Sequence, residues 1–390
     1  MRILSIAGRR GWVAAALLVL VACGTPPEST TVTDPESTAA AVPASPTPTP
    51  TLRNATVVMN GDLLWHNTLV FDAQRAAGGG GLDFVPLLEG VRPIVEPADM
   101  AICHNEVPVA PPGGPYRYYP SFRAPVETLD AVREIGYDMC TTASNHSLDD
   151  GWSGLVRTLD ALDERGILPA GTARTEEEAE QPRIFTTDDG VRIAVVTGTY
   201  GTNGIPRPAD RAWSVPDLDA DTMLRKAATA RAEGADIVLA AIHGGDEYAH
   251  QPNAEQTELA EVLTASPDVD LVYGHHVHVV QPFTKVNDKW VAYGLGNLVA
   301  QHLSTVPAGY EGVTARFTFT EEASGQFVVA EAEFIPTLIT PSRPGSPARL
   351  LLVNEALEAG AGDQQRLITA VERTRRVVHS LGGTEDLKES

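Results

Sequence analysis

Short apolar segments that end in polar side chains recur along this chain, and they constrain its fold more than any other feature. The apolar run 271–273 ends at Gly274, and three of the chain's ten histidines follow it, at His275, His276 and His278. An apolar run closed by glycine predicts a buried strand that opens into a loop. Because alternate positions of a strand face the same side, we expect His276 and His278 to point at one site and His275 to face away from it.

Similar residues follow the other predicted strands. Strands are expected at 57–59, 100–103, 137–140, 191–196, 237–242, 271–273 and 290–293, mostly with helices between them. Strands that alternate with helices predict an α/β fold, and in open α/β sheets ligands bind beyond the carboxyl ends of the strands. Candidate ligands at such ends are Asp62, Asn105, Glu106, Asn145, His146, His243, His276, His278 and Asn297.

The candidate ligands form a mixed nitrogen and oxygen set. Carboxylate, amide and imidazole groups come from Asp62, Glu106, Asn145, His243, His276 and His278. Such a set suits one or two divalent ions of manganese, zinc or iron, and two ions can clamp both oxygens of a displacement at phosphorus. His146, next to Asn145, is suited to protonate a leaving group. Each segment taken alone also fits an ordinary turn or helix cap, whereas their joint occurrence favours a metal site.

The remaining elements are predicted from their periodicity. Residues 124–135 have the spacing of an amphipathic helix, and Asp149 or Asp150 is expected to cap the next helix. Alternating apolar residues predict two antiparallel strands at 313–319 and 326–335, each solvated on one face.

The N-terminal segment predicts export and lipid anchoring. Three arginines precede the apolar run 11–22, which is too short to form a stable transmembrane helix. Residues 20–23, Leu-Val-Ala-Cys, resemble the lipobox of bacterial lipoproteins. Cys23 is therefore expected to be lipidated and to anchor the protein to the outer face of the cytoplasmic membrane. The alternative is an ordinary cleaved signal peptide.

The predicted organisation has four parts. Residues 1–23 form the lipoprotein signal peptide, and residues 24–54, rich in Pro, Thr, Ser and Ala, form a disordered linker because they cannot bury enough apolar surface to fold. Residues 55–341 form the folded domain, and residues 342–390 form a C-terminal helical extension with a helix at 366–381.

The two cysteines that remain after Cys23 are Cys103 and Cys140. Both lie at the ends of predicted strands. In an exported protein they can form a disulfide, but two unpaired core thiols fit the sequence equally well.

The charge of the chain restricts its partners. Its 29 Lys and Arg against 51 Asp and Glu give a net charge of −22. This charge repels nucleic acid, which we therefore do not expect as a partner. The loop 111–123 carries Arg117 and Arg123 among tyrosines, a combination suited to an anionic polymer or a phosphate. The alternative is an ordinary exposed loop.

Six motifs occur in an order that resembles a known family. They are Gly61-Asp62, Asn105-Glu106, and the segments 144–151, 243–248, 274–281 and 293–297. In this order they resemble the motifs of the bacterial CapA family, capsule synthesis proteins associated with poly-γ-glutamate, over about residues 55–341. That family is similar to the calcineurin-like metallophosphoesterases. The resemblance implies a four-layer α/β/β/α sandwich with a dinuclear metal site.

The resemblance also implies roles for single residues. It places metal ligands at Asp62, Glu106, Asn145, His243, His276 and His278, and makes His146 the catalytic histidine. Further site candidates within the same motifs are Asn105, Glu247, His275 and Asn297. The chain departs from the metallophosphoesterases at Leu64, where their first motif has histidine, and at Asn105-Glu106, where Gly-Asp is usual. Glu106 would then bridge two metals, or the site holds one ion. Val277 replaces a proline usual in the family.

Two functions from different classes follow. The first is a membrane-anchored, extracytoplasmic, metal-dependent hydrolase that acts on a phosphoester or on an amide of an anionic polymer such as poly-γ-glutamate. The second is a non-catalytic, metal-binding part of a polymer assembly or export complex that contains a membrane polymer synthase. A third, a solute-binding lipoprotein, rests on the N-terminal segment alone.

Lipidation of Cys23 can be tested by mass. We expect the mature chain to begin at Cys23 and to carry acyl groups, because the lipobox directs both cleavage and modification. Mass spectrometry of the mature N-terminus measures this, with Cys23→Ser as the control that cannot be acylated. An unmodified Cys23 in the mature protein would exclude the lipid anchor.

Overall fold

A computed structural model describes residues 52–301 and 305–390. The predicted signal peptide, almost all of the predicted linker and the predicted lipidation at Cys23 lie outside these ranges. Within these ranges, no helix combines the length and the apolar character that crossing a bilayer requires.

Two β-sheets form the centre of the described structure. In chain order the strands are β1 Asn54–Leu63, β2 Met100–Asn105, β3 Met139–Thr141, β4 Leu168–Ala170, β5 Ile184–Thr186, β6 Arg192–Thr199, β7 Ile237–His243, β8 Leu271–His275, β9 Phe283–Val286, β10 Lys289–Ala292, β11 Asn297–Val299, β12 Glu311–Glu321, β13 Phe327–Ile339, β14 Leu350–Leu352 and β15 Leu387–Glu389. The first sheet has the order β14-β13-β12-β1-β2-β3-β4, with β11 beside β1 and β15 beside β13. The second has the order β5-β6-β7-β8-β10-β9.

Helices connect most of these strands. They are α1 Asn67–Ala76, α2 Val85–Leu88, α3 Arg92–Val95, α4 Glu127–Ile135, α5 Gly151–Glu164, α6 Glu176–Glu180, α7 Ala220–Ala232, α8 Ala254–Ala265, α9 Val353–Glu358 and α10 Gln364–Val378, with 3-10 helices at Glu89–Val91, Ala209–Ser214 and Pro307–Tyr310. Local sequence sets several boundaries. For example, a capping box of Asn253 and Gln256 starts α8, and Gly136 with a φ of 111° ends α4.

The alternation of side chains along the strands separates the layers. In β1, Val57 and Met59 pack in the core between the two sheets, whereas Val58 packs against the helices α1–α5. In β7, Leu239 faces the other sheet and Val238 faces α7 and α8. Each sheet therefore buries both faces, one on the other sheet and one on helices. The structure is a four-layer α/β/β/α sandwich, which confirms the predicted fold class.

The central strands of both sheets are parallel. This holds for β1 to β4 in the first sheet and for β6, β7, β8 and β10 in the second. Parallel pairing places several carboxyl ends at one edge, as the sequence predicts. Strands β12 and β13 pair antiparallel, also as predicted.

Within β2 and β3, Cys103 and Cys140 lie opposite each other and form a disulfide, with Cα atoms 4.5 Å apart.

The C-terminal part differs from the predicted helical extension. Besides α9 and α10 it contains β14 and β15, and both pair with β13 of the first sheet. These strands were not predicted because three residues are too few to show a two-residue period. The last helix, α10, ends at Val378 rather than at 381.

The contact of β14 with the helix layer gives a test of this arrangement. A Cβ at Gly90 would overlap the carbonyl oxygen of Leu350, which belongs to the backbone of β14. We expect Gly90→Ala to lower the free energy of unfolding by about 2 kcal/mol, because a paired strand must shift to make room. Gly80→Ala is the matched control, since its nearest neighbour would lie 4.0 Å away. Urea unfolding measures both, and equal midpoints would contradict the packing.

Candidate metal centre

The carboxyl ends of strands from both sheets bring the candidate residues together. In the first sheet, the register of β1 and β2 sets Asp62 beside His104, and that of β1 and β11 sets Asp62 beside Asn297. In the second sheet, the register of β7 and β8 sets His243 beside His275. The cluster thus forms where the two sheets meet.

Asp62 is fully buried and joins the two sheets. Its Oδ1 lies 3.0 Å from Nδ1 of His275, and its Oδ2 lies 3.1 Å from Nδ1 of His278. The backbone N–H of His276 also donates to Oδ2, at 3.3 Å. Burial acts to raise the pKa of Asp62, but the hydrogen bonds from His275 and His278 outweigh it and hold the pKa well below its ordinary value. Asp62 is therefore ionised at neutral pH.

The prediction that His275 faces away from His276 and His278 is wrong. The strand β8 ends at His275, and His276 and His278 have φ values of 86° and 58°. The two-residue alternation of an extended strand therefore does not continue past His275. His275 and His278 both contact Asp62, and the rings of His276 and His278 lie 5.9 Å apart.

Glu106 is buried with both carboxylate oxygens lacking a hydrogen-bond partner among the described residues. His278 Nε2 lies 3.9 Å from its Oε1. Burial and then the charge of Asp62 raise the pKa of Glu106 well above its ordinary value. Burial lowers the pKa of His278, but Glu106 and Asp62 outweigh it and raise this pKa to about 9. A buried, unpaired carboxylate is costly, and a divalent cation would remove that cost.

Several imidazole nitrogens in the cluster are also buried without a hydrogen-bond partner in the described structure. They are Nε2 of His104, Nδ1 of His243, Nε2 of His275 and Nδ1 of His276. Burial lowers the pKa of His104 and of His243 well below the ordinary value, and that of His276 to about 4. These three rings are therefore neutral at pH 7, as a metal ligand must be, whereas His278 would have to release its proton to bind a cation. The donor set fits a divalent cation.

The potential ligand atoms divide into groups. Within the described ranges, atoms of three residues lie within 4.8 Å of one another in the groups Asp62–His104–His275, Asp62–Glu106–His278 and Glu247–His276–His278. Asn145 joins this cluster through its Oδ1, which lies 2.8 Å from Nε2 of His243. The structure thus brings together all six residues predicted as ligands.

The predicted catalytic histidine lies beside the cluster. Asp149 Oδ2 lies 2.7 Å from Nδ1 of His146 and accepts the backbone N–H of Phe122 at 2.6 Å. Asn203 contacts both Asn145 and His146. Its Oδ1 accepts a hydrogen bond from the Asn145 amide at 3.1 Å, and its Nδ2 lies 3.4 Å from Nδ1 of His146. Asp149 thus orients His146, while Asp150 takes the cap position of α5.

The remaining predicted site residues lie around the cluster of ligand candidates or outside it. Asn297 Oδ1 lies 3.0 Å from Nδ1 of His278, so Asn297 orients that ring. The Asn105 amide donates to the carbonyl of Val107, and Glu247 is exposed at the rim. Arg117 and Arg123 lie outside the cluster, and both bind Asp150, at 3.1 and 2.7 Å.

Sequence reasoning missed His104 and Asn203. His104 precedes Glu106 by two positions at the end of β2, and that same-face spacing could have identified it. Asn203 lies in a loop after β6 with no pattern that distinguishes it from other loop residues.

A family model described as bacterial capsule synthesis protein PGA_cap matches residues 56–302. The chain belongs to this family. The CapA resemblance of its motifs is thereby confirmed.

The capsule biosynthesis protein CapA of Bacillus anthracis is 28% identical over 183 residues, 44% of this chain and 42% of the relative. The PGA biosynthesis protein CapA of Bacillus subtilis (strain 168) is 23% identical over 230 residues, 59% of each. The chain spans about half the length of the curated relatives it matches.

Among solved structures, the chain is similar to the calcineurin-like phosphoesterase YfkN from Bacillus subtilis. The two are 12% identical, and the alignment covers 84% of this chain and 98% of that chain with a TM-score of 0.39.

The metal centre can be tested by zinc binding. Zinc at about one hundred times its Kd should raise the free energy of unfolding of the wild type by about 2.7 kcal/mol. We expect His278→Ala to weaken zinc binding at least about tenfold, which removes about half of that gain, because the ring contacts both Asp62 and Glu106. Calorimetric titration and thermal unfolding measure both quantities.

His379→Ala is the control for this experiment, because His379 contacts Phe334 and Thr384 instead of the cluster. We expect it to bind zinc as the wild type does. Equal affinity in wild type and His278→Ala, or no zinc bound by the wild type, would contradict the metal centre.

Proposed function

We propose that this protein is a lipid-anchored, extracytoplasmic, metal-dependent hydrolase in the biosynthesis of a capsule or poly-γ-glutamate-type polymer. The observation that carries the proposal is the buried set of unpartnered carboxylate and imidazole atoms around Asp62 and Glu106. Family membership supports the link to capsule synthesis, and the Bacillus subtilis relative is named for PGA biosynthesis. The disulfide between Cys103 and Cys140 supports an oxidising compartment outside the cytoplasm.

The residues of the cluster have two roles, cation binding and proton transfer. A bound divalent cation supplies a Lewis acid and a source of hydroxide near neutral pH. The residues that would hold it are Asp62, Glu106, Asn145, His243, His276 and His278. His146 moves the proton: Oδ2 of Asp149 accepts a hydrogen bond from Nδ1 of His146, so the proton of the ring resides on Nδ1. Nε2 of His146 is then the atom that exchanges a proton with a leaving oxygen or nitrogen.

The arginines beside the cluster support an anionic substrate. Arg117, Arg123 and Arg157 all bind Asp150, at 3.1, 2.7 and 2.8 Å. Three guanidinium groups on one carboxylate leave a local positive excess in a chain whose net charge is −22. Arg117 also donates to the backbone carbonyl of Asp149. The carboxylate of the same residue contacts Nδ1 of His146. A phosphoester or a polymer of glutamate fits such surroundings.

The second candidate is a non-catalytic metal-binding component of a polymer assembly or export complex with a membrane polymer synthase. One observation favours it. Leu64, which stands where the first metallophosphoesterase motif has a histidine, is buried in the apolar core of the helix layer. The chain therefore offers no ligand at that position.

The hydrolase proposal is tested by turnover with and without metal. Zinc-, manganese- or iron-loaded full-length protein should cleave an aryl phosphodiester or poly-γ-glutamate. We expect His146→Ala to lower kcat about 10²- to 10⁴-fold with its metal content unchanged, because the variant loses proton transfer and keeps the ligands. Metal binding without turnover on either substrate favours the assembly component instead.

The same assay tests the arginines. We expect Arg123→Ala to raise KM and to change kcat little, because Arg123 lies outside the cluster. Arg225→Ala removes the same charge from an exposed ion pair with Glu180 and is the matched control. Equal KM values in the two variants would remove Arg123 from substrate binding.

A further inference from the structure

We propose that Tyr200 and Tyr248 bind the substrate beside the cluster through their ring faces, and that this contact selects an extended chain with amide groups over a small phosphoester. The inference rests on the hydrolase proposed above and narrows the class of its substrate. It gives a role to two side chains that cation binding and proton transfer do not use.

Two of the exposed tyrosines lie against the cluster. Tyr119, Tyr200 and Tyr248 are 77%, 45% and 41% exposed, whereas the other six tyrosines of the chain are buried or half-buried. The ring centroid of Tyr200 lies 4.4 Å from that of His276, and the ring centroid of Tyr248 lies 6.1 Å from that of His278. Each ring thus lies beside a different candidate ligand and keeps part of its surface open to solvent.

The backbone holds both tyrosines in place. The N–H of Tyr200 donates to the carbonyl of His243 at 3.0 Å, and the N–H of Tyr248 donates to the carbonyl of Val277 at 2.8 Å. Tyr248 also has a φ of 64°, a left-handed conformation that costs a bulky residue free energy and persists only where the surrounding structure imposes it. The two residues are therefore preorganised, which lowers the entropy cost of binding a ligand.

Two different kinds of surface adjoin the cluster. Near His146, Arg117 and Arg123 can pair with carboxylates of a ligand. Near the two tyrosines, the carboxylate of Glu247 repels anionic groups. Burial and then Glu247 raise the pKa of both Tyr200 and Tyr248. A chain with neutral amide groups in its backbone and carboxylates on its branches fits both surfaces, whereas a small phosphoester does not extend to the rings.

Tyrosine rings suit such a backbone. Each ring is flat, rigid and amphipathic, so it supplies contact area at the loss of only two side-chain torsions. The face of the ring also accepts an amide N–H. The alternative is that the two rings only shield the histidines from water. In that case, removing a ring would change metal binding and would not affect polymer binding selectively.

The test measures binding to zinc-loaded, full-length protein. Poly-γ-glutamate and inorganic phosphate are the probes, titrated separately by calorimetry. We expect Tyr200→Ala and Tyr248→Ala each to weaken poly-γ-glutamate binding about 5- to 20-fold and phosphate binding less than about twofold, because phosphate does not reach the rings. Phe71→Ala is the matched control, because it removes a ring that is 52% exposed on α1, and we expect it to bind both probes as the wild type does.

Conservative variants separate the ring from the hydroxyl. The hydroxyl of Tyr200 donates to Oδ1 of Asn203 at 3.4 Å, and Asn203 contacts His146, so the alanine variant also removes a hydrogen bond near the catalytic histidine. Tyr200→Phe removes that hydrogen bond and keeps the ring face. We expect Tyr200→Phe and Tyr248→Phe to bind poly-γ-glutamate within about twofold of the wild type. Circular dichroism and zinc content show whether each variant keeps its fold and its cluster.

Three results would overturn the inference: no binding of poly-γ-glutamate by the wild type, wild-type affinity in both alanine variants, or equal losses for polymer and phosphate. Tighter binding of hyaluronan, an acidic chain of sugar rings, would overturn the choice of an amide backbone. A failure of the hydrolase proposal is distinguishable from these results. Polymer binding that depends on the tyrosines, without turnover, would overturn only the hydrolase, whereas turnover that depends on neither ring would overturn only the role of the tyrosines.

Discussion

The hydrogen bonds of Asp62 hold the two halves of this molecule in one arrangement. Asp62 belongs to the first sheet, whereas His275 ends β8 of the second sheet and His278 follows that strand. An ionised carboxylate can remain buried only if it is surrounded by donors. Its position therefore fixes where both histidines lie, and with them the edge at which the sheets meet. The apolar core between the sheets supplies most of the cohesion, while Asp62 specifies the geometry at one end of it.

Much of this could be predicted from the sequence, because the strands that carry the cluster are short apolar runs followed by polar residues. That pattern depends only on burial, and it placed Asp62, Glu106, Asn145, His243 and His278 at one edge. The direction of His275 could not be predicted, because the positive φ values of His276 and His278 come from the tertiary structure. The pairing of Cys103 with Cys140 depends on strand register, which the sequence left open. Strands β14 and β15 exist only because β13 offers them partners.

Family membership and local chemistry answer different questions here. The family links the chain to capsule synthesis, and the four-layer fold explains how strand ends converge. Neither decides whether the protein cleaves a bond. That question depends on a few side chains, chiefly on whether His146 and its partner Asp149 act beside an occupied cluster. Leu64 is buried in the apolar core where the metallophosphoesterase motif would have a histidine, and His104 is buried beside Asp62 on the neighbouring strand.

The disulfide has a consequence that follows from its register. Cys103 and Cys140 are paired across β2 and β3, and the next pair along the same strands is His104 and Thr141. A covalent cross-link and the hydrogen bond that orients a buried histidine of the cluster thus occupy consecutive residue pairs of β2 and β3. Thermodynamic reciprocity then applies: if the cross-link strengthens cation binding by the cluster, a bound cation makes the cross-link harder to reduce by the same free energy. Thiol oxidation and metal loading would then be two halves of one maturation step.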